Sequence, residues 1–465
     1  MSNKTIDHTK YQSPYSWRYA SDDMRRIWSE TNKRKIWRTI WLALAEVQFE
    51  FGLVTSEQVA DLQAHIGDID IQRANQIEAE IHHDVMAELR TFAEQCQVGG
   101  GIIHLGMTSM DLVDNTDALR VVQSLDLVIE RLRKLLLIFK LQIVNWAETP
   151  IMAFTHLQPA EPSTLGYRLA QYAQDLLIDW ENLNRLRRNL RGKGFKGAVG
   201  TSASFMELLD EESLLKFESR ISEILELDFF PVTTQVYPRK QDYDVISALA
   251  GMAASLYKFA FDLRLLQSPL IGEVSEPFET KQVGSSAMPF KRNPINAEKI
   301  DSLARWLAQF PRLAWDNAAH SLLERTLDDS ANRRTTLPEA FLIADELLLV
   351  TTRICNDLRV DEAALLRNLS TFGPFAATER VLMALGKAGA NRQEMHENIR
   401  NISMKAWDVV RNGESNPLVQ MIINEPSILR YINANDLLSL MDVQFYIGDA
   451  SRRAKVLAEK ISENV

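Results

Sequence analysis

Apolar side chains in this chain recur at three- and four-residue intervals over long stretches. Leu169, Tyr172, Leu176, Trp180, Leu183, Leu186 and Leu190 keep that spacing without a break. Ile36, Ile40, Leu44, Val47 and Phe51 keep it up to Gly52. This is the period of a helix with one apolar stripe, and Gly52 is placed to end the second one just past its C-cap. The same spacing predicts helices over 122–148, 242–268, 295–310 and 336–358. The last opens on Thr336-Leu-Pro-Glu339, which reads as a capping box with proline in the first turn. Turn formers are scarce: 19 Gly and 15 Pro in 465 residues lie well under the usual combined share of ~12%. Few turns mean long elements, and a helix of about 28 residues is ~42 Å long. Several such helices must bury their stripes on one another. The predicted fold class is all-α, with three helical domains: 1–108, a central elongated helix bundle over 109–360, and 361–465. The Gly99-Gly100-Gly101 turn sets the first boundary and Asp361-Glu362, read as a helix start, sets the second. Strand alternation is scarce, and there is no internal repeat or low-complexity linker.

Composition narrows the function classes. Hydrophobic residues are 46% and charged residues 25% of the chain, an ordinary globular balance. The net charge of −10 argues against a nucleic-acid binder, which normally carries a basic face. It leaves room for an anionic small molecule, because screening confines distant charge to about 8 Å at physiological salt. Cys96 and Cys355 are the only cysteines, too few for a disulfide framework or a zinc ligand set. The N-terminus lacks the apolar core of a secretory signal. No apolar run is expected to approach the ~18 residues that span a bilayer. A cytoplasmic protein, with neither membrane nor nucleic acid as partner, is expected.

The segments between helices carry the chemistry. Gly192-Lys-Gly194-Phe-Lys-Gly197 satisfies G-x-G-x-x-G, but a dinucleotide site needs a strand before it and a helix after it. Here an amphipathic helix precedes it, so the motif is set aside, leaving open a loop whose N–H groups approach a ligand. His82-His83-Asp84 lacks the third converging ligand of a metal site and, taken alone, reads as a helix cap. Thr155-His156-Leu-Gln-Pro places a histidine between a helix and a proline-punctuated turn, where it can exchange a proton near neutral pH; a lone histidine of this kind is more often structural. Gly284-Ser285-Ser286-Ala287-Met288-Pro289-Phe290-Lys291-Arg292-Asn293-Pro294 is the richest stretch. Glycine and paired serines make a mobile loop, and two cations and an Asn follow at once, a poor core and a poor helix. Glu324-Arg325-Thr-Leu-Asp-Asp329-Ser330-Ala-Asn332-Arg333-Arg334 offers guanidinium forks for carboxylate or phosphate. Ser330 and Arg334 share a face if the segment is helical. Read alone, this too is a solvated, salt-bridged helix start.

Taken together, the 284–294 loop resembles the signature of the fumarase/aspartase superfamily. The 324–334 segment resembles the adenylosuccinate lyase family within it, its animal-type branch in particular. Ser16-Trp-Arg18-Tyr19-Ala-Ser21, His83-Asp84-Val85-Met86, Thr108-Ser109, Asp114-Asn115-Thr116-Asp117 and Gln235-Val-Tyr-Pro-Arg239-Lys240 are similar to the same family. The resemblance covers about residues 10–350; the last hundred residues match only in being helical. Phe290 stands where many superfamily members carry His, and His82 where Arg usually precedes the His-Asp pair.

What the resemblance implies is a β-elimination. A base removes a carbon-bound proton beside a carboxylate, an aci-carboxylate forms, and an acid protonates the departing nitrogen. Ser285 is then the base and His156 the acid. Lys291 and Asn293 hold the succinyl carboxylate with help from Thr108 and Ser109. Arg18, Tyr19, Arg325, Ser330 and Arg334 bind nucleotide and phosphate, and His83, Asp84, Gln235 and Arg239 complete the pocket. No cofactor and no metal is implied. The family's sites are shared between subunits of a homotetramer. The competing readings are a sister lyase acting on another succinyl or carboxymuconate compound, such as argininosuccinate, and an inactive structural homologue. The 325–334 arginines argue against the first, and intact Ser285, His156, Lys291 and Asn293 against the second.

Overall fold

In the computed structural model residues 9–465 are described, and they are almost entirely helical. The chain divides into two compact units. The first comprises residues up to Arg131, Asp179–Ala254 and Leu303–Leu349; the second comprises Leu132–Ile178, Ser255–Ser302 and Val350–Val465. The predicted stripes are helices Glu30–Glu50, Ser109–Asn145, Leu165–Asn189, Lys240–Leu266, Ile295–Leu307 and Ser330–Asn356. Gly52 does follow the first of them in a left-handed conformation, φ +72°, which suits a residue without Cβ.

Local side chains start most of the shorter helices in the first unit. Ser21, Ser29, Asp70 and His83 each accept a backbone N–H two or three residues into the following turn, and Thr55 with Gln58 forms a full capping box. Trp37, Ile40, Trp41, Leu44 and Val47 of the Glu30–Glu50 helix are buried. Beside them Arg38, fully buried, spans to Glu88 (2.9 Å), Gln95 (2.9 Å) and the carbonyls of His65 and Asp68. One guanidinium thereby binds the carbonyls at the end of helix Ser56–His65 and side chains of helix Asp84–Gln95.

In the second unit Asp361 caps helix Glu362–Lys387, as the sequence predicts. That helix, Arg392–Arg411 and the short helices after it enclose a core of Val381, Leu385, Met395, Ile399, Leu418, Ile422 and Leu437.

Four expectations need correction. Thr336 does not open a helix: the helix begins at Ser330, Thr336 Oγ1 donates to the Asn332 carbonyl (2.8 Å), and Pro338 lies inside. Residues 150–164 are not a turn between helices but an antiparallel hairpin, Pro150–Thr155 with Gln158–Thr164. A second two-stranded pair joins Val274–Ser275 to Arg359–Val360. Finally, helix Lys240–Leu266 has the length and an apolar window sufficient to cross a bilayer. Its Val245, Ile246, Leu249, Met252, Leu256 and Leu263 are buried within the protein, so a core role accounts for that hydropathy.

Candidate active site

A cavity of about 570 Å³ in the first unit gathers His83, Asp84, Thr108, Ser109, Gln235, Arg325, Ser330 and Arg334. These were drawn from four distant segments of the sequence. The reason they meet is that three helices begin there. His83 is the N-cap of Asp84–Gln95, its Nδ1 accepting from Met86 N–H at 3.3 Å. Ser109 is the first residue of Ser109–Asn145, and the Thr108 N–H donates to Asp111 at 2.9 Å. Ser330 is the first residue of Ser330–Asn356, and Arg334 stands one turn further on, on the same face. Each helix start presents the positive end of a peptide dipole. Three of them meet at one cavity whose walls carry Arg325, Arg334, Lys33 and Arg120 alongside Glu30, Glu78, Asp84 and Asp117, a mixed lining in which an anionic group can be held at the helix starts.

Behind the cavity lies a buried ionic lattice. Arg239 holds both oxygens of Asp114 (3.1 Å each) and, through Nε, Asp329 at 2.6 Å. The other Asp329 oxygen accepts from Arg325 at 2.7 Å. Arg333 bonds Asp242 (2.8 Å), the Tyr237 hydroxyl (2.9 Å) and Asp117 (3.2 Å). Burial alone would raise the Asp329 pKa, but Arg239 and Arg325 hold it below the ordinary carboxylate value. For Asp114 burial wins and the pKa is raised. Arg239 therefore does not line the cavity. It is buried against carboxylates and fixes the segment from which Arg325 and Ser330 project.

Sequence reasoning missed Trp28, Lys33, Trp37, Glu78 and Arg120, which line the same cavity. Lys33 and Trp37 are four apart on one helix face, with the ammonium 5.2 Å from the indole, a spacing that was readable. Arg120 stacks 4.3 Å from the Trp28 ring and donates to the Trp28 carbonyl at 2.8 Å; nothing in the sequence points to that pairing.

Arg18 and Tyr19 lie outside this lining. They sit in a turn pinned to the Ser330–Asn356 helix, where Glu346 accepts from Ala20 N–H (2.8 Å) and Asp345 from Ser21 N–H (2.7 Å). The Gly192–Gly197 loop has its N–H groups turned to the protein. Gly197 N–H donates to Asp111 at 3.1 Å and Gly194 N–H to Asn115 at 3.0 Å, while buried Lys193 pairs with Asp111.

The remaining candidates belong to the second unit. Ser285 Oγ accepts from the N–H groups of Ala287 (3.3 Å) and Met288 (3.1 Å), donors that stabilise negative charge on that oxygen. Asn293 donates to the Gly284 carbonyl at 3.0 Å. A Cβ on Gly284 would fall 2.0 Å from the Lys291 carbonyl oxygen, so only glycine lets the loop close on itself there. Lys291 and Asn293 line a second cavity of about 870 Å³ with Arg264, Arg292 and Arg359. His156 is exposed at the tip of the hairpin, between strands rather than after a helix, with φ +51° and Leu157 at +59°. Among the described residues no group of three or more His, Cys, Asp or Glu is placed to hold a metal ion.

A family model described as lyase matches residues 16–306, and one described as adenylosuccinate lyase C-terminus matches 374–455. The second match reaches the part of the chain that the sequence resemblance described only as helical. The chain is 38% identical to an adenylosuccinate lyase of Saccharomyces cerevisiae over 98% of its length and 96% of the relative's. It is 39% identical to one of Schistosoma mansoni over 96% and 94%. A solved 3-carboxy-cis,cis-muconate lactonizing enzyme of Pseudomonas putida superposes with a TM-score of 0.84 at 25% identity, covering 97% of this chain and 100% of that one. A fumarate lyase of Mesorhizobium sp. BNC1 has the same fold, with a TM-score of 0.83 at 22% identity and coverage of 97% and 99%. The fold is thus the all-α one of the fumarase/aspartase superfamily, and with such identity along nearly its whole length the chain belongs to the adenylosuccinate lyase family.

Proposed function

We propose that the three-helix cavity binds the phosphate end of adenylosuccinate and that Ser285 and His156 carry out the proton transfers of its cleavage. The activity itself, β-elimination that releases fumarate, is that of the family. AMP is the other product. The succinylated aminoimidazole carboxamide ribotide (SAICAR) carries the same succinyl-amine and ribose phosphate, and is cleaved to AICAR by the same groups, which places the enzyme in purine nucleotide biosynthesis.

Arg325, Ser330 and Arg334 take the phosphate, with Arg18 and Tyr19 closing over it. His83, Asp84 and Gln235 hold the nucleoside. Ser285, as alkoxide, removes the carbon-bound proton beside the succinyl carboxylate; the two N–H groups at its Oγ and the Lys291 ammonium favour that ionised form. The carbanion is held as an aci-carboxylate by Lys291, Asn293, Thr108 and Ser109. The C–N bond then breaks, and His156 gives its proton to the departing nitrogen. Arg239 acts behind the site, through Asp329 and Arg325. No cofactor or metal enters these steps.

Sites shared by three subunits of a homotetramer complete the reading. Its support is the dispersal of the acting residues over the chain, together with apolar side chains left exposed on long helices, Leu141, Ile178, Phe261 and Trp306 among them. A reducing cytoplasm suits two free, buried cysteines. The observation that carries the proposal is the meeting of three helix starts and Arg325 and Arg334 around one cavity. The test is the absorbance change on adding adenylosuccinate, with argininosuccinate as control. Turnover of the first alone is expected; turnover of argininosuccinate alone, or of neither, would overturn it.

A further inference from the structure

The loop that carries Ser285 and Lys291 leaves and rejoins the body of the second unit at two points, and one side chain touches both. Gln267 follows the last turn of helix Lys240–Leu266, its own N–H bonded to the Leu263 carbonyl at 2.9 Å. Its Oε1 accepts from the Glu276 N–H at 3.1 Å, where the loop departs. Its Nε2 donates to the Arg292 carbonyl at 3.2 Å, where the loop returns. Glu276 then fastens the returning strand a second time. Its carboxylate, only 3% exposed, accepts from Ala297 N–H (2.9 Å), Asn296 N–H (3.1 Å) and Asn296 Nδ2 (3.1 Å). The two backbone N–H groups are orphan donors of helix Ile295–Leu307, so the same carboxylate caps the helix and anchors the loop. Between these feet Ser285 to Phe290 and Lys291 are joined chiefly to one another. Beyond the feet, the loop has a further tie near its start, where Arg359 Nη2 donates to the Phe278 carbonyl at 2.7 Å.

We infer that Gln267 and Glu276 are positioning residues: together they clamp the two feet of the loop and so set where Ser285 and Lys291 stand when it closes on substrate. The inference rests on the assignment of Ser285 as base. Neither residue exchanges a proton with substrate. Their contribution is to the geometry of the transfer, where a displacement of about 1 Å can cost on the order of 100-fold in rate.

Gln267→Leu keeps the bulk and removes both hydrogen bonds. It should lower kcat for adenylosuccinate by roughly tenfold or more, change KM far less, and speed amide hydrogen exchange only in peptides spanning 277–294. Gln267→Glu keeps the acceptor for Glu276 N–H and loses the donor to Arg292, so it should fall between native and Leu. Glu276→Gln should speed exchange in the same peptides and at the start of helix Ile295–Leu307. In a Ser285→Ala background, Gln267→Leu should cost less rate than it does in the native enzyme, because only the part that runs through Lys291 remains. Native kcat and native loop exchange in Gln267→Leu would overturn the clamp, and so would a full further loss in the Ser285→Ala background. If Gln267→Leu fails to fold, Gln267→Glu decides by the same two readouts. Failure of the underlying reading looks different: Ser285→Ala itself would then keep its kcat.

Discussion

Under the proposed function, a residue that holds the phosphate and a residue that moves a proton should fail differently when removed. Arg334 reaches the cavity from an exposed position, held by Asp84 at 3.2 Å. Arg334→Ala should leave stability nearly unchanged and weaken substrate binding by about 1.5–3 kcal/mol, the worth of a charged hydrogen bond. Ser285→Ala and His156→Ala should lower kcat by about 10²–10⁴ while substrate still binds. Steady-state kinetics with direct binding separates the two patterns. His104 shows a third kind of dependence. Its Nδ1 accepts from the Trp41 indole at 3.0 Å, and burial pushes its pKa down to about 4. Its folded pKa is below its unfolded value of 6.5, so between these values only the unfolded chain takes up the proton. Its contribution is complete above about pH 6.5 and is lost as the pH falls toward 4. His104→Asn tolerates the left-handed backbone there, φ +71°, and removes the titration. Its unfolding midpoint should vary less with pH than the native one over that window; an equal slope would show that another group is responsible.

Elements were legible in the sequence where the signal is local. The caps at His83 and Asp361 and the end at Gly52 depend on a few neighbouring residues, and they stand where expected. The 150–164 hairpin was not legible, for two reasons. Its alternation is broken by a bulge between Met152 and Phe154. Its two-residue turn, His156-Leu157, takes positive φ without Gly or Asn, so the usual hairpin signal is missing. The start of helix Ser330–Asn356 was misplaced because Pro338 reads as a first-turn residue, whereas the helix runs through it. The resemblance groups Arg239 with the pocket residues, but a motif match does not say which way a side chain faces, and Arg239 faces buried carboxylates. Arg239→Met tests this supporting role. It leaves Asp114, fully buried, without its main partner, and should cost about 3–5 kcal/mol in stability, read from urea unfolding. Native stability with weakened substrate binding would instead restore Arg239 to the cavity.

At the scale of the whole molecule, the all-α class followed from the scarcity of turn formers and the length of the apolar stripes. The gathering of 83–84, 108–109, 235 and 325–334 at one cavity could not be read from spacing; only the family resemblance linked them. Chelators should leave turnover unchanged, because His82, His83 and Asp84 serve caps and an arginine pair; loss of activity restored by a divalent ion would contradict this. Under the proposed function, base and acid come to the three-helix cavity from different subunits. Mixing Ser285→Ala and His156→Ala enzymes, unfolding them together gently and reassembling them tests it most directly. Random assortment in a symmetric oligomer should restore about a quarter of native activity from two inactive preparations, with light scattering showing about four chains. A mixture that stays as inactive as its parts, or an active monomer, would contradict it.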